Sequence, residues 1–183
     1  IVLGLKFLST QSGFITAIRF FKPAGSTASH LGALYKLDGT LLSQVAFTNE
    51  TNSGWQQANF GTPVAITANT VYMAVYYSDN GDYVANAGFF LPGPTLSPPL
   101  RALKNGENGP NGLYDYAYQP KFPTQTYQGG NYWADVVFAN TIPPDVTPPT
   151  VAITAEQRWI QPRARGFPMS SATVSAKRAA RRR

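Results

Sequence analysis

The chain has 183 residues, 43% of them hydrophobic, so it is long enough for one well-buried domain. It has no cysteine, which excludes disulfides, thiol catalysis and thiolate metal sites. Its formal net charge of +6 comes from the C-terminal end, because eight of the 15 basic residues lie between Arg158 and Arg183 with no acidic residue among them. Residues 1–140 are neutral and carry no basic stripe, so a nucleic-acid role would depend on the tail alone.

Alternating apolar residues predict β-strands from Ile1 to Ser78 and again from Tyr132 to Phe138. The segments are IVLGLKF, FITAIRFF, LGALYKLDGTLLSQVAF, WQQANF with PVAIT, NTVYMAVYYS and YWADVVF. The LDGT stretch supplies the Asp-Gly pair that favours a tight hairpin turn. No window shows sustained helical periodicity, and no apolar run approaches the roughly 20 residues of a membrane span. The sequence therefore predicts an all-β fold, a jelly-roll-like antiparallel β-sandwich.

Residues 88–128 interrupt this pattern with a segment that is dense in Gly, Pro and Tyr. Such a composition does not suit regular central strands, and its aromatic residues need a surface to pack on. We expect a long ordered loop insertion lying over one face or one end of the sandwich, where functional loops are usually found.

The domain boundaries follow from changes in composition. Residues 1–140 are predicted to form the β-sandwich, and residues 141–155 form a proline-rich linker with one extra strand. The linker sequence TIPPDVTPPTVAIT resembles the start of an immunoglobulin-like or fibronectin-like module. Residues 156–183 are predicted to be a disordered basic tail, because they lack apolar periodicity. Two origins remain open for this tail: a reading-frame shift, or a basic anchor for anionic polymers.

Two loops carry oxygen ligands that suit calcium. SDNGDY places Asp79, Asn80 and Asp82 around a glycine, although Asn-Gly is also a strong hairpin-turn signal. KNGENGPNGLYDY contains Glu107 and Asn111, which favour either a calcium site, hydrogen bonds to sugar hydroxyls, or only a long turn. The predicted metal residues are Asp79, Asn80, Asp82 and Glu107.

The aromatic residues suggest a carbohydrate site. Sugar rings stack their apolar faces on aromatic planes, and carbohydrate sites pair such planes with amides and carboxylates. Alternation in WQQANF puts Trp55 on the same face as Gln57 and Asn59, so Trp55 is either half-buried as a lid under the insertion or displayed as a platform. Asp135 is expected on the solvent side, or buried with Arg19 or a cation as its partner. The predicted ligand-binding residues are His30, Trp55, Tyr77, Tyr83, Asn111 and Tyr114.

Several stretches covering residues 3–139 and the linker together resemble one bacterial family. They are LGLKFLSTQSGFITAIRFFK, HLGALYKLDGTLLSQVAFTNETNSGWQQANFGTPVAITANTVYMAVYY, NGDY, FPTQTYQGGNYWADVVF and DVTPPTV. The chain resembles the secreted β-sandwich family called domain of unknown function 4082, found in large secreted or surface proteins beside immunoglobulin-like and fibronectin-like repeats. The resemblance implies an extracellular or cell-surface β-sandwich module and no settled activity.

Histidine is common in that family at the positions held here by Tyr77 and Asp82, and His30 matches the family. The chain keeps one imidazole of that set, so the resemblance gives no support to a transition-metal site. His30 is also the only histidine of the chain, and no nucleophile is positioned by sequence to form a catalytic dyad with it.

The sequence predicts a protein that is not an enzyme, because it has no GxSxG, HExxH, GxGxxG or phosphate-binding glycine loop. A paired-carboxylate glycosidase has no sequence motif by which to exclude it. We expect a non-catalytic extracellular module that binds a glycan or another surface polymer, with calcium as a stabilising ion. The alternative is a structural or adhesive subunit or spacer that self-associates through its edge strands. A third hypothesis gives the tail an affinity for nucleic acid or anionic glycans.

Overall fold

The alternating segments of the sequence form β-strands throughout the part of the chain that the computed structural model describes, residues 1–142. Residues 143–183, with most of the predicted linker and the whole basic tail, lie outside this part. The described residues contain no helix, which confirms the all-β prediction. The strands are β1 Val2–Ser9, β2 Gly13–Lys22, β3 His30–Lys36, β4 Leu41–Ala46, β5 Gly54–Ile66, β6 Val71–Ser78, β7 Thr95–Ser97, β8 Leu100–Ala102, β9 Leu113–Asp115, β10 Gln125–Thr126 and β11 Ala134–Ala139.

The strands form two antiparallel sheets that pack as a β-sandwich, as predicted. The larger sheet has the order β10-β9-β1-β6-β3-β4, and β8 also pairs with β1 and carries β7 at its other side. The smaller sheet has the order β11-β2-β5. Within the described residues the chain passes between the sheets five times, and one of these connections, residues 47–53, joins β4 of the larger sheet to β5 of the smaller one.

The core lies between the two sheets and is dominated by aromatic rings. Phe20 of β2 stacks on Tyr76 of β6 with ring centroids 4.7 Å apart, and it meets Phe47 edge-on at 4.8 Å. Ile18 and Phe20 are fully buried, whereas Arg19 between them faces outward, as the alternation of FITAIRFF predicts. The Tyr76 hydroxyl donates a hydrogen bond to the Tyr132 carbonyl oxygen (3.1 Å), so the core also anchors the chain just before β11.

The insertion at residues 88–128 is ordered, and part of it covers one face of the sandwich as expected. Phe122 packs edge-on against Tyr35 on the outer face of the larger sheet, where a second apolar cluster is buried. The rest differs from the expectation of a loop, because it supplies β7, β8, β9 and β10 to the plane of the sheet. Each has only two or three residues, which the Gly and Pro content allows at the edge of a sheet but not in its centre.

Gly112 of the insertion is in close backbone contact with Gly130, which lies in the segment before β11. Gly112 has a φ of +71°, and a Cβ atom there would lie 1.7 Å from the carbonyl oxygen of Gly130. Both the left-handed conformation and the missing side chain are therefore required at this position.

Replacement of Gly112 by Ala should lower the free energy of unfolding by about 3 kcal/mol or more, because a clash with fixed backbone adds to the cost of the left-handed conformation. Gly39→Ala is the matched control: Gly39 has a φ of +86° in the β3–β4 turn, but open space surrounds it. The control should lose only about 1–2 kcal/mol. Chemical denaturation of both variants checks this, and equal losses would contradict the close contact.

Candidate functional site

A cleft of about 440 Å³ opens beside the N-terminal end of β1, where the insertion meets the segment before β11. Five of its ten lining residues are tyrosines, and none of the ten side chains is charged. We call it the tyrosine cleft. Its lining residues are Ile1, Leu3, Tyr83, Ala85, Ala87, Tyr114, Tyr116, Tyr127, Gly130 and Tyr132.

Tyr132 lies at the base of this cleft, and other tyrosines surround it edge-on. Its ring centroid is 5.9 Å from that of Tyr83 and 6.3 Å from that of Tyr114. Tyr114 is held by β9, where it pairs with Leu3 of β1, and its ring also meets Tyr116 at 5.7 Å. Tyr132 is buried, whereas Tyr116 and Tyr127 are exposed at the rim. The cleft therefore has a fixed floor and accessible aromatic walls.

The phenol groups of the cleft are available for hydrogen bonding. Among residues 1–142, none of the five hydroxyls has a hydrogen-bond partner in the protein, and the one fully buried side-chain polar atom without a partner is Nε2 of His30. Three of the five tyrosines, Tyr83, Tyr116 and Tyr127, are exposed. Burial, and the neighbouring phenols of Tyr83, Tyr114 and Tyr116, raise the pKa of Tyr132 to about 12. The base of the cleft therefore keeps its proton at neutral pH and remains a hydrogen-bond donor.

A second aromatic surface lies on the outer face of the smaller sheet. Trp55 of β5 is 42% exposed, its ring is perpendicular to that of Trp133 at 6.3 Å, and the Arg19 guanidinium lies 4.7 Å above it. Arg19 Nη1 is also 3.5 Å from the Asp135 carboxylate, which confirms the predicted pair. Burial raises the pKa of Asp135, and the Arg19 charge opposes this shift. Of the two hypotheses for Trp55, the exposed platform fits its position better than the lid.

The family model described as Domain of unknown function (DUF4082) matches residues 1–134. The chain belongs to this family. The matched residues include β1 to β10 and every residue that lines the tyrosine cleft, so the cleft is part of the family domain. No curated protein and no solved structure matches the chain. In the described part of the domain, no helix is long and apolar enough to cross a membrane.

Of the six predicted ligand-binding residues, the tyrosine cleft brings together Tyr83 and Tyr114, and Trp55 lies on the second surface. His30 does not fit a ligand contact, because its side chain is fully buried between the sheets, 4.4 Å from the Phe20 ring. Its Nδ1 lies 2.9 Å from both carboxylate oxygens of Glu50, which also accepts from Lys22 Nζ at 2.9 Å. Tyr77 is buried too, and its hydroxyl donates to the Tyr118 carbonyl oxygen of the insertion.

Asn111 is likewise a structural residue, since both ends of its buried amide are used. Its oxygen accepts hydrogen bonds from the backbone N–H groups of Lys6 (2.7 Å) and Gly112 (2.8 Å). Its nitrogen donates to the carbonyl oxygens of Lys6 (3.1 Å) and Leu103 (2.7 Å). The side chain fastens the insertion to β1 and is not offered to a ligand.

The side chains that were predicted to bind calcium are hydrogen-bonded to protein groups instead. Asn80 donates to the Asp82 carboxylate at 2.8 Å and accepts from the Asp82 backbone N–H at 3.0 Å, which is turn geometry around Gly81. Asp79 accepts from the backbone N–H of Ser29 at 3.0 Å. Glu107 forms a two-bond ion pair with Arg101, and this hydrogen bonding holds the pKa of Glu107 below its usual range. Across residues 1–142, no three His, Cys, Asp or Glu side chains form a group that suits a metal ion.

The sequence prediction missed five aromatic residues that line these surfaces. Phe21 lies beside the exposed tryptophans, and the other four are Tyr116, Tyr127, Tyr132 and Trp133. Tyr116 carried a usable signal, because it follows Tyr114 by two residues and so shares its face of an extended segment. For the other three no local signal exists. Tyr132 and Trp133 are adjacent in sequence, and only the backbone conformation decides that they serve different surfaces.

The Asn111→Ala variant should lose about 3 kcal/mol in its free energy of unfolding, because two buried N–H groups and the Leu103 carbonyl oxygen would lose their partner. The Lys6 carbonyl oxygen would keep only the hydrogen bond from the Leu103 backbone N–H. Asn108→Ala in the same loop removes an exposed amide and should be nearly neutral. Thermal or chemical denaturation measures both. A neutral Asn111→Ala would show that its hydrogen bonds do not stabilise the insertion.

The raised pKa of Tyr132 predicts a loss of stability at high pH. The folded state favours the neutral phenol, so its contribution is complete below the ordinary tyrosine pKa of about 10 and is lost as the pH rises through about 12. Phenolate absorbance titration of Tyr132→Phe should lack one group ionising near pH 12. Tyr83→Phe should lower the pKa of Tyr132, since it removes an opposing phenolate. An unchanged high-pH titration in Tyr132→Phe would contradict this assignment.

Proposed function

We propose that this domain is a non-catalytic extracellular module that binds a carbohydrate or another surface polymer in the tyrosine cleft. The observation that carries the proposal is the convergence of five tyrosines on one concave site, with hydroxyls that have no hydrogen-bond partner among residues 1–142. Membership of the family leaves the activity open, so the proposal stands on the chemistry of this site.

The shape and composition of the cleft support a neutral sugar as ligand. Aromatic ring faces accept the apolar C–H faces of a pyranose, and phenol groups both donate to and accept from its hydroxyls. The volume of about 440 Å³ lies within the range of about 300–1,000 Å³ that ligand sites usually have. The lining side chains offer no cation for an anionic sugar and no carboxylate pair of the kind that glycosidases use.

A polymeric ligand is favoured over a free monosaccharide because the aromatic walls continue out of the cleft. Tyr116 is 75% exposed at the rim, and Tyr127 is also exposed there. Exposed aromatic rings at the rim of a cleft can contact further units of a chain whose end or middle occupies the base.

An extracellular location follows from this ligand class, and immunolabelling of intact producing cells tests it; labelling only after lysis would contradict it.

A second candidate function, a self-assembling structural module, is favoured by the edges of the smaller sheet. Its centre, β2, pairs with β5 on one side and β11 on the other, and neither outer edge pairs with another strand of the described residues. Exposed strand edges are sites where copies of a chain can pair. Size-exclusion chromatography over a range of protein concentrations distinguishes this function from glycan binding.

Tyr116→Ala should weaken glycan binding at least tenfold, a loss of about 1.4 kcal/mol. The full 183-residue chain is screened on a glycan array with calcium and with chelator, and hits are quantified by calorimetry. Tyr118→Ala is the matched control, because Tyr118 is 98% exposed two residues away but does not line the cleft. The control should bind normally.

Equal effects of the two tyrosine variants would contradict the assignment of the cleft. If no glycan binds and the protein assembles with increasing concentration, the structural function replaces the binding function. Loss of glycan binding with chelator would show that binding requires calcium. Unchanged binding would show that it does not.

A further inference from the structure

A second concave site adjoins the exposed tryptophan pair on the outer side of the smaller sheet. It has a volume of about 380 Å³ and is lined by Phe21, Trp55, Val84, Asn86 and Trp133. We call it the tryptophan hollow. None of its residues lines the tyrosine cleft, so the two sites are separate.

The aromatic rings of the tryptophan hollow are fixed by their mutual packing. The Trp55 ring is nearly perpendicular to Trp133 (81°) and to Phe21 (85°), at centroid distances of 6.3 and 5.7 Å. The Arg19 guanidinium at 4.7 Å further restrains Trp55. The side chains therefore form a preorganised surface even though Trp55 is exposed.

Polar groups are set among these rings. The Trp133 indole N–H donates to the Asn86 side-chain oxygen at 2.7 Å, which fixes the orientation of that amide. The Asn86 NH₂ group then has no partner among residues 1–142 and faces solvent. Gln57 and Asn59 lie on the same face of β5 as Trp55 and are exposed. Aromatic planes beside oriented amides are the combination that suits a neutral sugar ring.

One thin wall separates the two sites. Along the chain from Tyr83 to Ala87, odd-numbered residues line the tyrosine cleft and even-numbered residues line the tryptophan hollow. Asn86 and Asn131 join this segment to the chain before β11 through two backbone hydrogen bonds of 2.9 Å. The alternation repeats there, because Tyr132 lines the cleft and Trp133 lines the hollow.

The backbone at Trp133 is strained in a way that serves this arrangement. Its φ of 56° lies in the left-handed region, which a bulky residue rarely adopts because of steric strain. A hydrogen bond from its backbone N–H to the Asn131 side-chain oxygen (2.8 Å) holds the conformation. Immediately afterwards β11 begins, so this residue sets the direction in which the indole leaves the chain.

We propose that the tryptophan hollow is a second site for a neutral pyranose ring, so that the domain binds glycan at two positions separated by one shared wall. The choice of a sugar as ligand class rests on the proposed function. The consequence is bivalency: a polymer that reaches both sites is held with an effective concentration in the second one, which raises the overall affinity by about 10²–10⁴.

Two adjacent residues of the wall allow a matched test. Val84→Arg places a long charged side chain in the tryptophan hollow, whereas Ala85→Arg places the same side chain in the tyrosine cleft. Neither position lies in a β-strand, so the sheets are unperturbed. Trp55→Ala is a further hollow variant, and Leu41→Ala, which removes a similarly exposed apolar residue from β4, is its control.

The full chain and these variants are tested by affinity electrophoresis in soluble mixed-linkage β-glucan, galactomannan and arabinoxylan, and by calorimetry with the matching oligosaccharides. We expect two oligosaccharides per wild-type chain and one per chain in Val84→Arg, Trp55→Ala and Ala85→Arg. The double variant Val84→Arg/Ala85→Arg should not bind. Each single variant should bind the polymer at least tenfold more weakly than the wild type or Leu41→Ala.

The outcomes separate this proposal from the function proposed for the cleft. If Ala85→Arg abolishes binding while Val84→Arg and Trp55→Ala keep the wild-type stoichiometry, the second site is overturned and the tyrosine cleft stands. If only the hollow variants lose binding, the hollow is supported and the cleft is overturned. No binding of any of these polysaccharides, or blocking by Val84→Arg of self-association instead, would overturn the second site.

Discussion

Both backbone edges of β1 are hydrogen-bonded, and the rest of the described structure depends on this constraint. One edge pairs with β6 from Val2 to Leu8, and the other pairs with β9 near its start and β8 near its end. The short strands of the insertion are therefore part of the larger sheet. Asn111 and Gly112 secure the same junction through side-chain hydrogen bonds and a close backbone contact. Because Tyr114 belongs to β9, the wall of the cleft inherits the rigidity of the sheet.

A buried charged cluster provides a second link, between the sheets. Glu50, in the connection from β4 to β5, receives hydrogen bonds from Lys22 of β2 and His30 of β3. A carboxylate can only accept hydrogen bonds, so the Nδ1 atom of His30 carries the proton that it donates. Removal of one member would leave an uncompensated buried charge, which is why such clusters tolerate little change. The other ring nitrogen of His30, Nε2, is buried and has no hydrogen-bond partner among residues 1–142. The centroid of the His30 ring lies 4.4 Å from that of the Phe20 ring.

The tyrosine cleft and the tryptophan hollow lie on opposite sides of one short extended segment, residues 83–87, which forms a wall of both. An extended chain presents alternate side chains to opposite sides. The antiparallel bridge between Asn86 and Asn131 adds a second segment beside the first, so the wall becomes wider but stays one chain thick. The tyrosine cleft is lined by tyrosines and small apolar side chains without charge, whereas the tryptophan hollow is bordered by amides and by the Arg19–Asp135 pair. Under the proposed function, two ring-binding surfaces arranged in this way would suit attachment to a repetitive polymer, where many identical units are available.

The sequence by itself determined the seven longer strands, β1 to β6 and β11, their inward and outward faces, and the family. Period-two alternation is a local property, so Ile18 and Phe20 were assigned to the core, and Trp55 to the outer face with Gln57 and Asn59. The Arg19–Asp135 pair was also within reach, because it needs only two neighbouring strands with outward faces. Only the tertiary structure decided which polar and aromatic residues serve the surface. Sequence reasoning selected His30, Tyr77 and Asn111 as binding residues, but long-range packing buries them. The cleft joins residues as distant in the sequence as Leu3 and Tyr132. Such meetings depend on strand order and on one left-handed residue at Trp133, and neither is encoded in a local pattern.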